Sequence, residues 1–386
     1  MYIKNRKKFR KVRFILLRLS KLLQLAARFR KPRRRILLVK IDAIGDYILF
    51  RNFLEVVKNS EKFKGYEIEL LGNVSWKDLA LEYDGNTVSQ FYFIDEGSLY
   101  EKPKEVFQLG WKLFKRRYET VLQPTYSRTL MGNGLAGLAA GKTSVAYLSE
   151  HEHHPKYKKQ TDRLYTELLN LPDHSWHEYE RNWYFFKKAT DNAEIPWVPL
   201  KLPVEKKERK GIVIFPGSSW SQKNWEKEKF SEIIRRVLDS TSESIILAGG
   251  KGEVPITAFL LGQLPSRERI INKTGNTTLP ELVELISAAR LVIANDTNVV
   301  HMAAATQTPC ICIVGGGHFG RFLPYPEMVP AKPIAVYEEM PCFNCSWNCL
   351  FDPGDLSPYP CIARIPVEAV WKHADAILDP TDPHAD

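Results

Sequence analysis

The chain is short of cysteine and of long apolar runs, and its first 41 residues lack any acid. Six cysteines among 386 residues exclude a small scaffold held together by disulfides. Charged residues interrupt every apolar stretch of about 18 residues, which argues against a membrane-spanning helix. A hydrophobic content of 44% with 26% charged residues excludes wholesale disorder. The length predicts two domains of ordinary size.

The excess positive charge is confined to the N-terminus. Residues 1–35 hold fifteen Lys and Arg and no Asp or Glu, and the first acid is Asp42. The other residues hold 40 bases and 45 acids, so the overall charge of +10 leaves a body with a net charge of −5. A nucleic-acid-binding fold needs basic residues spread over its surface. We therefore expect no nucleic-acid partner.

Residues 9–29 have the pattern of a basic amphipathic helix, with Arg13 and Lys21 opposite an apolar face. That face consists of Val12, Ile15, Leu16, Leu19, Leu22, Leu23 and Ala26. Arg18 and Lys21 interrupt the apolar core that a signal peptide needs. The pattern predicts that residues 1–35 dock on an anionic membrane surface. The alternative is a helix that packs on the body of the protein or on an oligomer partner.

After this leader, short apolar runs alternate with helical stretches, which is typical of parallel sheets covered by crossover helices. The first series of predicted strands is Arg35–Lys40, Glu67–Leu71, Gln90–Ile94, Tyr118–Leu122 and Thr143–Tyr147. The second series is Gly211–Phe215, Ser244–Ala248, Arg269–Ile271, Leu291–Ala294 and Cys310–Val314. We predict two doubly wound α/β halves, with ligands at the carboxyl ends of the strands in a cleft between the halves.

Thr190–Lys210 separates the two series and holds three prolines and a charge run, a composition typical of a linker. The predicted domains follow from it. They are a leader at 1–35, a first domain at 36–190, a linker at 191–210, a second domain at 211–365 with a Cys-rich loop at 341–361, and a C-terminal helix and tail at 366–386.

The first strand runs into a turn that carries a carboxylate. Gly45 allows a tight connection between strand and helix, and Asp46 follows where the helix is predicted to begin. Asp46 either caps this helix or, beside a cleft, takes a proton from an incoming hydroxyl. Local spacing by itself favours the cap.

The first strand of the second series ends in a turn of Pro216, Gly217, Ser218 and Ser219, with Lys223 close behind. Such a turn exposes backbone N–H groups and hydroxyls near a helix start, which suits an anion. Lys223 adds a positive charge that can reach a phosphate. The alternative is an ordinary turn followed by a surface lysine.

A polar cluster follows the predicted strand Leu291–Ala294 and leads into a helix of small residues. It contains Asp296 and His301, polar groups at a place where a protein core does not need them. The start of this helix offers its positive dipole end to a diphosphate.

Taken together, these segments resemble glycosyltransferase family 9, the bacterial heptosyltransferases, over about residues 36–378. The motifs that carry the resemblance are ILLVKIDAIGD at 36–46, FPGSSWSQKNW at 215–225, TGNTTLPELVELISAARLVIANDTNVVH at 274–301 and IPVEAVWKHADAIL at 365–378. The resemblance implies two Rossmann-like domains in the GT-B arrangement, with an interdomain cleft and the donor held mainly by the second domain. It also implies inverting transfer of a heptose from ADP-heptose without a metal or other cofactor.

The resemblance further implies roles for individual residues. Asp46 resembles the family's general base, which deprotonates the acceptor hydroxyl. Ser218, Ser219 and Lys223 resemble contacts to the donor phosphates. Asp296 resembles the aspartate that holds sugar hydroxyls.

Four further residues complete the implied donor site. Thr297 resembles the start of the diphosphate-binding helix, His301 resembles a supporting histidine, and Glu253 resembles a carboxylate on the ribose hydroxyls. Asn298 departs from the family, which usually has Gly there. Asn tolerates a left-handed backbone better than most residues. Its side chain nevertheless occupies space near the donor, so the identity of the sugar and nucleotide stays open.

Four cysteines cluster in a loop that is rich in Pro and also holds Asn and Trp. Cys342, Cys345, Cys349 and Cys361 have the spacing C-x2-C-x3-C-x11-C. This spacing suits a structural Zn or Fe ion with four thiolate ligands. By resemblance, some family members hold iron with cysteines in this loop. The alternative is a set of reduced thiols without metal.

We predict a cytoplasmic enzyme, peripheral on the inner face of the inner membrane of a Gram-negative-type bacterium. It would move a heptose or related sugar from an ADP-heptose-type donor to a lipopolysaccharide-type, anionic glycolipid acceptor. Segment 149–182 would contact that acceptor, and its run His151–His154 is predicted to be a solvated loop. The alternatives are a transferase of the same family that acts on a protein such as an adhesin or autotransporter, and a non-catalytic scaffold that binds nucleotide sugars or metal.

Overall fold

The computed structural model describes residues 4–148, 155–173, 175–192, 194–205, 207–351 and 358–379. The histidine run at 151–154 lies outside the described residues. The chain forms two compact units. The first consists of Met1–His174 and Glu178–Val198, and the second of Ser175–His177 and Pro199–Asp386. The main division between the units lies between Val198 and Pro199.

The first unit contains a sheet of six parallel strands in the order β3-β2-β1-β4-β5-β6. The strands are β1 Arg33–Lys40, β2 Glu67–Asn73, β3 Gln90–Ile94, β4 Tyr118–Gln123, β5 Thr143–Tyr147 and β6 Glu167–Leu169. The middle of β1 has no exposed side chain from Ile36 to Val39. Continuous apolar runs of this kind form because helices cover both faces of a parallel sheet.

The second unit repeats this topology, with the strand order β12-β11-β10-β7-β8-β9. Its strands are β7 Ile212–Phe215, β8 Ile245–Leu247, β9 Ile270–Asn272, β10 Leu291–Asn295, β11 Cys310–Ile313 and β12 Ile334–Val336. The predicted pair of Rossmann-like α/β domains is confirmed. In each sheet the chain order reverses between the first and fourth strands, β1 and β4 in one and β7 and β10 in the other. Ligands bind outside the carboxyl ends of such strand pairs.

Sixteen α-helices are described, and most of them connect the strands. They are α1 Arg6–Phe14, α2 Ser20–Ala27, α3 Ile44–Arg51, α4 Phe53–Asn59, α5 Lys77–Asp84, α6 Glu96–Leu99, α7 Pro103–Arg116, α8 Leu130–Ala139, α9 Pro155–Asp162, α10 Glu178–Ala189, α11 Lys227–Ser240, α12 Val254–Gly262, α13 Leu279–Ser287, α14 Asn298–Thr306, α15 Pro360–Ala363 and α16 Val367–Leu378. Local sequence explains several of their ends. Thr278 and Glu281 form a capping box that starts α13, for example.

The basic N-terminal segment folds as α1, a π-helical stretch at Ile15–Leu19 and α2. Val12 and Leu16 are completely buried in the core of the first unit. Two glycines of α8 make room for this segment, since a Cβ at Gly134 would collide with the side chain of Leu16 and one at Gly137 would lie 3.1 Å from Ser20 Cβ. Part of the apolar face predicted for a membrane is therefore used for packing within the first unit.

Other apolar side chains of the same segment remain on the surface. They are Phe14, Leu22, Leu25 and Phe29, each with more than half of its surface exposed. Among the described residues, no helix is both long enough and apolar enough to cross a lipid bilayer.

Candidate active site

Asp46 lies just beyond the carboxyl end of β1, in the first turn of α3. The N-cap position of α3 is Ala43, which makes no side-chain cap hydrogen bond. Asp46 is therefore the third residue of the helix and does not occupy the cap position. A carboxylate in the first turn lies at the positive end of the helix dipole, which favours its ionised form.

A buried lysine lies beside this turn. Lys40, the last residue of β1, is fully buried, and its Nζ lies 2.9 Å from Asp42 Oδ2. Burial lowers the pKa of Lys40, but the charges of Asp42, Asp46 and Glu178 oppose burial, and the net direction is upward. Lys40 thus stays protonated and supplies positive charge to three carboxylates. This group of charges could not be predicted from the sequence, because Glu178 belongs to α10, far along the chain from Lys40.

The backbone and side chain of Asp42 are both held in place. Thr125 Oγ1 donates to Asp42 Oδ2 at 3.0 Å, and Trp76 Nε1 donates to the Asp42 carbonyl at 3.0 Å. The Trp76 ring stacks on Tyr47, with centroids 4.4 Å apart. These contacts make the β1–α3 turn a rigid support for Asp46, and rigid support is what a positioned base requires.

In the second unit, Asn295 ties two predicted motifs together at the carboxyl edge of the sheet. This residue ends β10 and is fully buried. Its Oδ1 accepts from the Trp225 N–H at 3.0 Å, and its Nδ2 donates to the Pro216 carbonyl at 2.6 Å. The turn after β7 and the polar cluster after β10 are therefore direct neighbours, as the reversal of chain order at β7 and β10 requires.

Lys223 is the centre of this second cluster. Its Nζ lies 3.9 Å from Asp296 Oδ2, and the side chains of Lys223 and Asp296 are only 12% and 18% exposed. Two tryptophan rings lie close to the ammonium, that of Trp347 at 4.5 Å and that of Trp220 at 5.2 Å. Lys223 is thus a partly buried, fixed positive charge.

Ser218 and Ser219 belong to the turn after β7, and Glu253 lies beside this turn. Ser218 Oγ donates to the Trp220 carbonyl at 2.9 Å, while Ser219 is exposed. A Cβ at Gly217 would overlap the side chain of Glu253, so glycine there allows the carboxylate to lie over the turn. The structure therefore brings Glu253 next to the Pro-Gly-Ser-Ser turn, although 33 residues lie between Ser219 and Glu253.

The polar cluster after β10 leads directly into α14. Thr297 is its N-cap residue, and Thr297 Oγ1 donates to Asn298 Oδ1 at 2.9 Å. Asn298 is the first residue of the helix and has helical backbone, so the left-handed conformation considered for it is not used. The Val300 N–H donates to the Thr297 carbonyl at 3.1 Å, so the N–H groups of Asn298 and Val299 are the ones at this helix start that can hold an anion.

His301 lies behind the cluster as an uncharged support. Its Nδ1 lies 2.6 Å from the hydroxyl of Tyr325. Burial, and to a smaller degree Lys223, lower the pKa of His301 to about 4. His301 is therefore neutral at physiological pH, and the cation that pairs with Asp296 is Lys223.

The four clustered cysteines line one small cavity, together with Gly316, Gly317, Met340, Phe343 and Trp347. The Gly316 N–H donates to Cys361 Sγ at 3.4 Å. Burial raises the pKa of Cys361 against the effect of this N–H, and the other three thiols raise it further. Among the described residues, no three or more His, Cys, Asp or Glu side chains have the geometry of a metal site. The donor set suits Zn or Fe, whereas the side-chain arrangement is not that of a bound ion.

Trp347, Trp220 and Tyr325 also belong to the second cluster, although the sequence did not predict them there. Trp347 is the single tryptophan of the Cys-rich loop at 341–361, and its place between Cys345 and Cys349 was the available signal. In chemical terms, the cluster provides a fixed cation, an adjacent carboxylate and a free helix start. A nucleoside diphosphate carrying a sugar needs these three features, the first and third for its phosphates and the second for hydroxyls.

Comparison with known proteins identifies the family of the chain. The sequence model of glycosyltransferase family 9 (heptosyltransferase) matches residues 128–349. Lipopolysaccharide heptosyltransferase 3 of Escherichia coli K12 is 24% identical over 254 residues, which are 63% of this chain and 72% of that protein. Because the family model covers more than half of the chain, the chain belongs to glycosyltransferase family 9, and it is a glycosyltransferase of the heptosyltransferase type.

Two solved structures share the fold. The E. coli ADP-heptose lipopolysaccharide heptosyltransferase II has a TM-score of 0.67 at 16% identity, with 89% of this chain and 98% of that chain covered. The dodecameric iron-containing heptosyltransferase TibC, in complex with ADP-D-β-D-heptose, has a TM-score of 0.53 at 14% identity, with 90% and 77% covered.

Proposed function

We propose that the protein is an inverting transferase that moves a heptose from ADP-heptose to a hydroxyl of a lipopolysaccharide-type acceptor. The observation that carries the proposal is the cluster at the carboxyl edge of the second sheet, where Lys223, Asp296 and the start of α14 meet. The names of the E. coli relatives and the ADP-heptose bound to TibC support this choice of donor and acceptor.

The donor site would work by neutralising the charge that grows on the leaving diphosphate. Lys223 and the N–H groups at the start of α14 supply fixed positive charge there, where partial burial strengthens it. Asp296 would hold sugar hydroxyls, and Glu253 would hold those of the ribose. Transfer would therefore need the sugar-nucleotide donor and no separate cofactor.

Asp46 would act as the general base. It would take the proton of the acceptor hydroxyl while the oxygen forms a bond to the anomeric carbon, and the bond to the diphosphate breaks on the opposite face. Lys40 keeps positive charge beside Asp46 and favours its ionised form, which a base must have before the reaction.

The test compares two variants in transfer and in binding. Asp46→Asn is expected to lose transfer by at least about a hundredfold and to keep its affinity for ADP, because a general base supplies about 10²–10⁴ in rate. Lys223→Ala is expected to weaken both ADP binding and transfer. Near-normal turnover by Asp46→Asn would remove the base assignment.

A thermal-shift panel tests the donor separately. ADP-sugars are expected to stabilise the protein more than UDP- or GDP-sugars at equal concentration, since binding to the native state raises its stability. A preference for UDP or GDP would contradict the ADP-heptose assignment. Transfer to a protein acceptor in place of the glycolipid would favour an adhesin- or autotransporter-modifying enzyme.

We also propose that the N-terminal segment binds the cytoplasmic surface of an anionic inner membrane, which would bring a glycolipid acceptor to the enzyme. Phe14 and Phe107 of α7 line one groove with the cations Arg10, Lys11 and Lys104. Apolar side chains next to cations suit the boundary between headgroups and acyl chains.

A double substitution tests the membrane proposal. Phe14→Ser with Phe29→Ser is expected to reduce binding to vesicles that contain anionic lipid and to leave the fold intact, since both side chains are mostly exposed. Leu25→Ser with Leu22→Ser provides a second exposed pair on the same segment. Unchanged vesicle binding by both pairs would contradict the proposal.

The Cys-rich loop carries a separate proposal, that Cys342, Cys345, Cys349 and Cys361 hold a structural Zn or Fe ion. All four line one cavity, and the Gly316 N–H already donates to one of the sulfurs, a contact that stabilises metal-bound thiolates. The expected result is about one equivalent of Zn or Fe in protein purified without added metal, reduced in Cys345→Ser. A stoichiometric absence would end this proposal.

A further inference from the structure

Trp347 belongs to the Cys-rich loop, yet its ring forms part of the donor site. The Lys223 ammonium lies 4.5 Å from the centre of this ring. Trp220, on the turn after β7, lies 5.2 Å from the same ammonium, and the two rings meet edge to face with centroids 5.9 Å apart. One lysine therefore has aromatic partners from two segments that are distant in the sequence.

The Trp347 ring is held from several sides. Its Nε1 donates to His318 Nδ1 at 3.2 Å, and its ring packs on Tyr359 with centroids 5.7 Å apart. A Cβ at Gly317 would overlap the ring, so the backbone of Gly317 lies directly against it. The orientation of Trp347 is thus determined by its surroundings and not by Lys223 alone.

The backbone around Trp347 adopts a conformation that residues other than glycine avoid. Asn344, Ser346 and Trp347 have φ of 65°, 52° and 63°. Hydrogen bonds to the Gly316–Gly317 segment hold this part of the loop, from the Asn344 N–H to the Gly316 carbonyl at 2.7 Å and from the Ser346 N–H to the Gly317 carbonyl at 2.9 Å. Left-handed residues of this kind persist only where neighbouring structure enforces them.

A lysine without such partners would serve a diphosphate less well. Its four-carbon side chain has many rotamers, and ordering them on binding costs affinity. Asp296 also attracts the ammonium from 3.9 Å and competes with an incoming phosphate. An aromatic face attracts a cation without neutralising its charge, and it thereby keeps the ammonium in place and available.

We propose that Trp347 is a positioning residue that holds the Lys223 ammonium in place for the donor diphosphate, so that the Cys-rich loop sets donor affinity. The inference rests on the proposed function of Lys223. It assigns to the loop a role in substrate binding that its cysteines alone do not suggest.

The experiment measures ADP affinity by calorimetry, and KM and kcat for ADP-heptose, in Trp347→Leu and Trp347→Phe. Trp347→Leu is expected to raise the Kd for ADP and the KM for ADP-heptose by about two- to thirtyfold, the range of one cation–π contact. The effect on kcat is expected to be smaller than that on KM. Trp347→Phe retains a ring face and is expected to recover most of the affinity.

The Lys223→Ala background separates the two proposals. If Trp347 acts through Lys223, Trp347→Leu has little further effect on ADP affinity once the lysine is absent. Full additivity of the two substitutions would overturn the inference. Lys223→Ala with unchanged ADP affinity would instead refute the proposed donor site itself.

A glycine pair covers the case in which Trp347→Leu does not fold. Gly317→Ala places a methyl group against the Trp347 ring and must displace it, whereas a Cβ at Gly262 meets nothing within 4 Å. Gly317→Ala is expected to weaken ADP binding relative to Gly262→Ala. Equal affinity of these two variants would overturn the inference.

Discussion

Deletion of residues 1–30 is expected to unfold the first unit, although the deleted segment is rich in charge and lies at the end of the chain. Val12, Leu16, Leu17 and Leu23 are all at most 8% exposed. Burial of one such side chain contributes about 1.5–3 kcal/mol. The four together contribute about 6–12 kcal/mol, close to the total stability of a typical domain, which is about 5–15 kcal/mol.

Deletion of residues 1–30 would also expose the face of α8 on which these residues pack, because Gly134 and Gly137 have no side chains that could cover it. Limited proteolysis and hydrogen exchange of the full-length and shortened chains would locate the effect. Protection is expected to be lost in β1 to β6 and retained in β7 to β12, since the latter belong to the other unit.

A point substitution provides the matched control. Leu16→Ala is expected to cost about 2–5 kcal/mol, as other large-to-small core changes do. Leu25→Ala, at a side chain that is 53% exposed, is expected to change stability by less than about 0.5 kcal/mol. A shortened chain whose first unit keeps its exchange protection would refute the reasoning, and so would equal effects of the two leucine substitutions.

Three further outcomes are expected. Lys40→Met removes the positive charge beside three carboxylates and should move the acid limb of the kcat/KM profile to higher pH; an unshifted limb would contradict this role. Because the pKa of His301 is lowered to about 4, the unfolded chain gains a proton there below its ordinary pKa of about 6.5 while the folded chain does not. The free energy of unfolding should therefore fall by up to about 3 kcal/mol between pH 6.5 and pH 4. Urea titrations at several pH values should show a smaller fall for His301→Gln, and an equal fall in both proteins would contradict this. Gly217→Ala should displace Glu253 and weaken ADP binding relative to Gly262→Ala, and matching affinities would show that Glu253 does not contact the donor.

Ten of the twelve described strands could be predicted because each has a continuous apolar run between turn residues. The two others, Glu167–Leu169 and Ile334–Val336, have three residues each and lie at sheet edges. Length and edge position do not by themselves explain the difference, since β8 and β9 also have three residues each and β9 is also an edge strand. These strands form because β5 and β11 offer them a hydrogen-bonding partner.

The donor-site motifs could be predicted for a similar reason. Each lies directly after a strand, and the topology brings the carboxyl ends of β7 and β10 together. Contacts between distant segments could not be predicted in this way. Glu178 lies on α10 and interacts with Lys40 at the end of β1. Trp347 contacts Lys223 from a loop whose cysteines predicted metal binding and nothing else.

The contact between Gly134 and Leu16 makes the volumes at these two positions interdependent. Gly134 has no side chain, and Leu16 fills the space that this leaves. Neither residue can therefore be replaced by a larger one unless the other becomes smaller. A methyl group gained on α8 has to be matched by carbon lost at position 16, in the π-helical stretch Ile15–Leu19. In a library that varies position 16 in the Gly134→Ala background, selection for recovered solubility should therefore return residues smaller than leucine. The residues at positions 16 and 134 would thus change together in evolution.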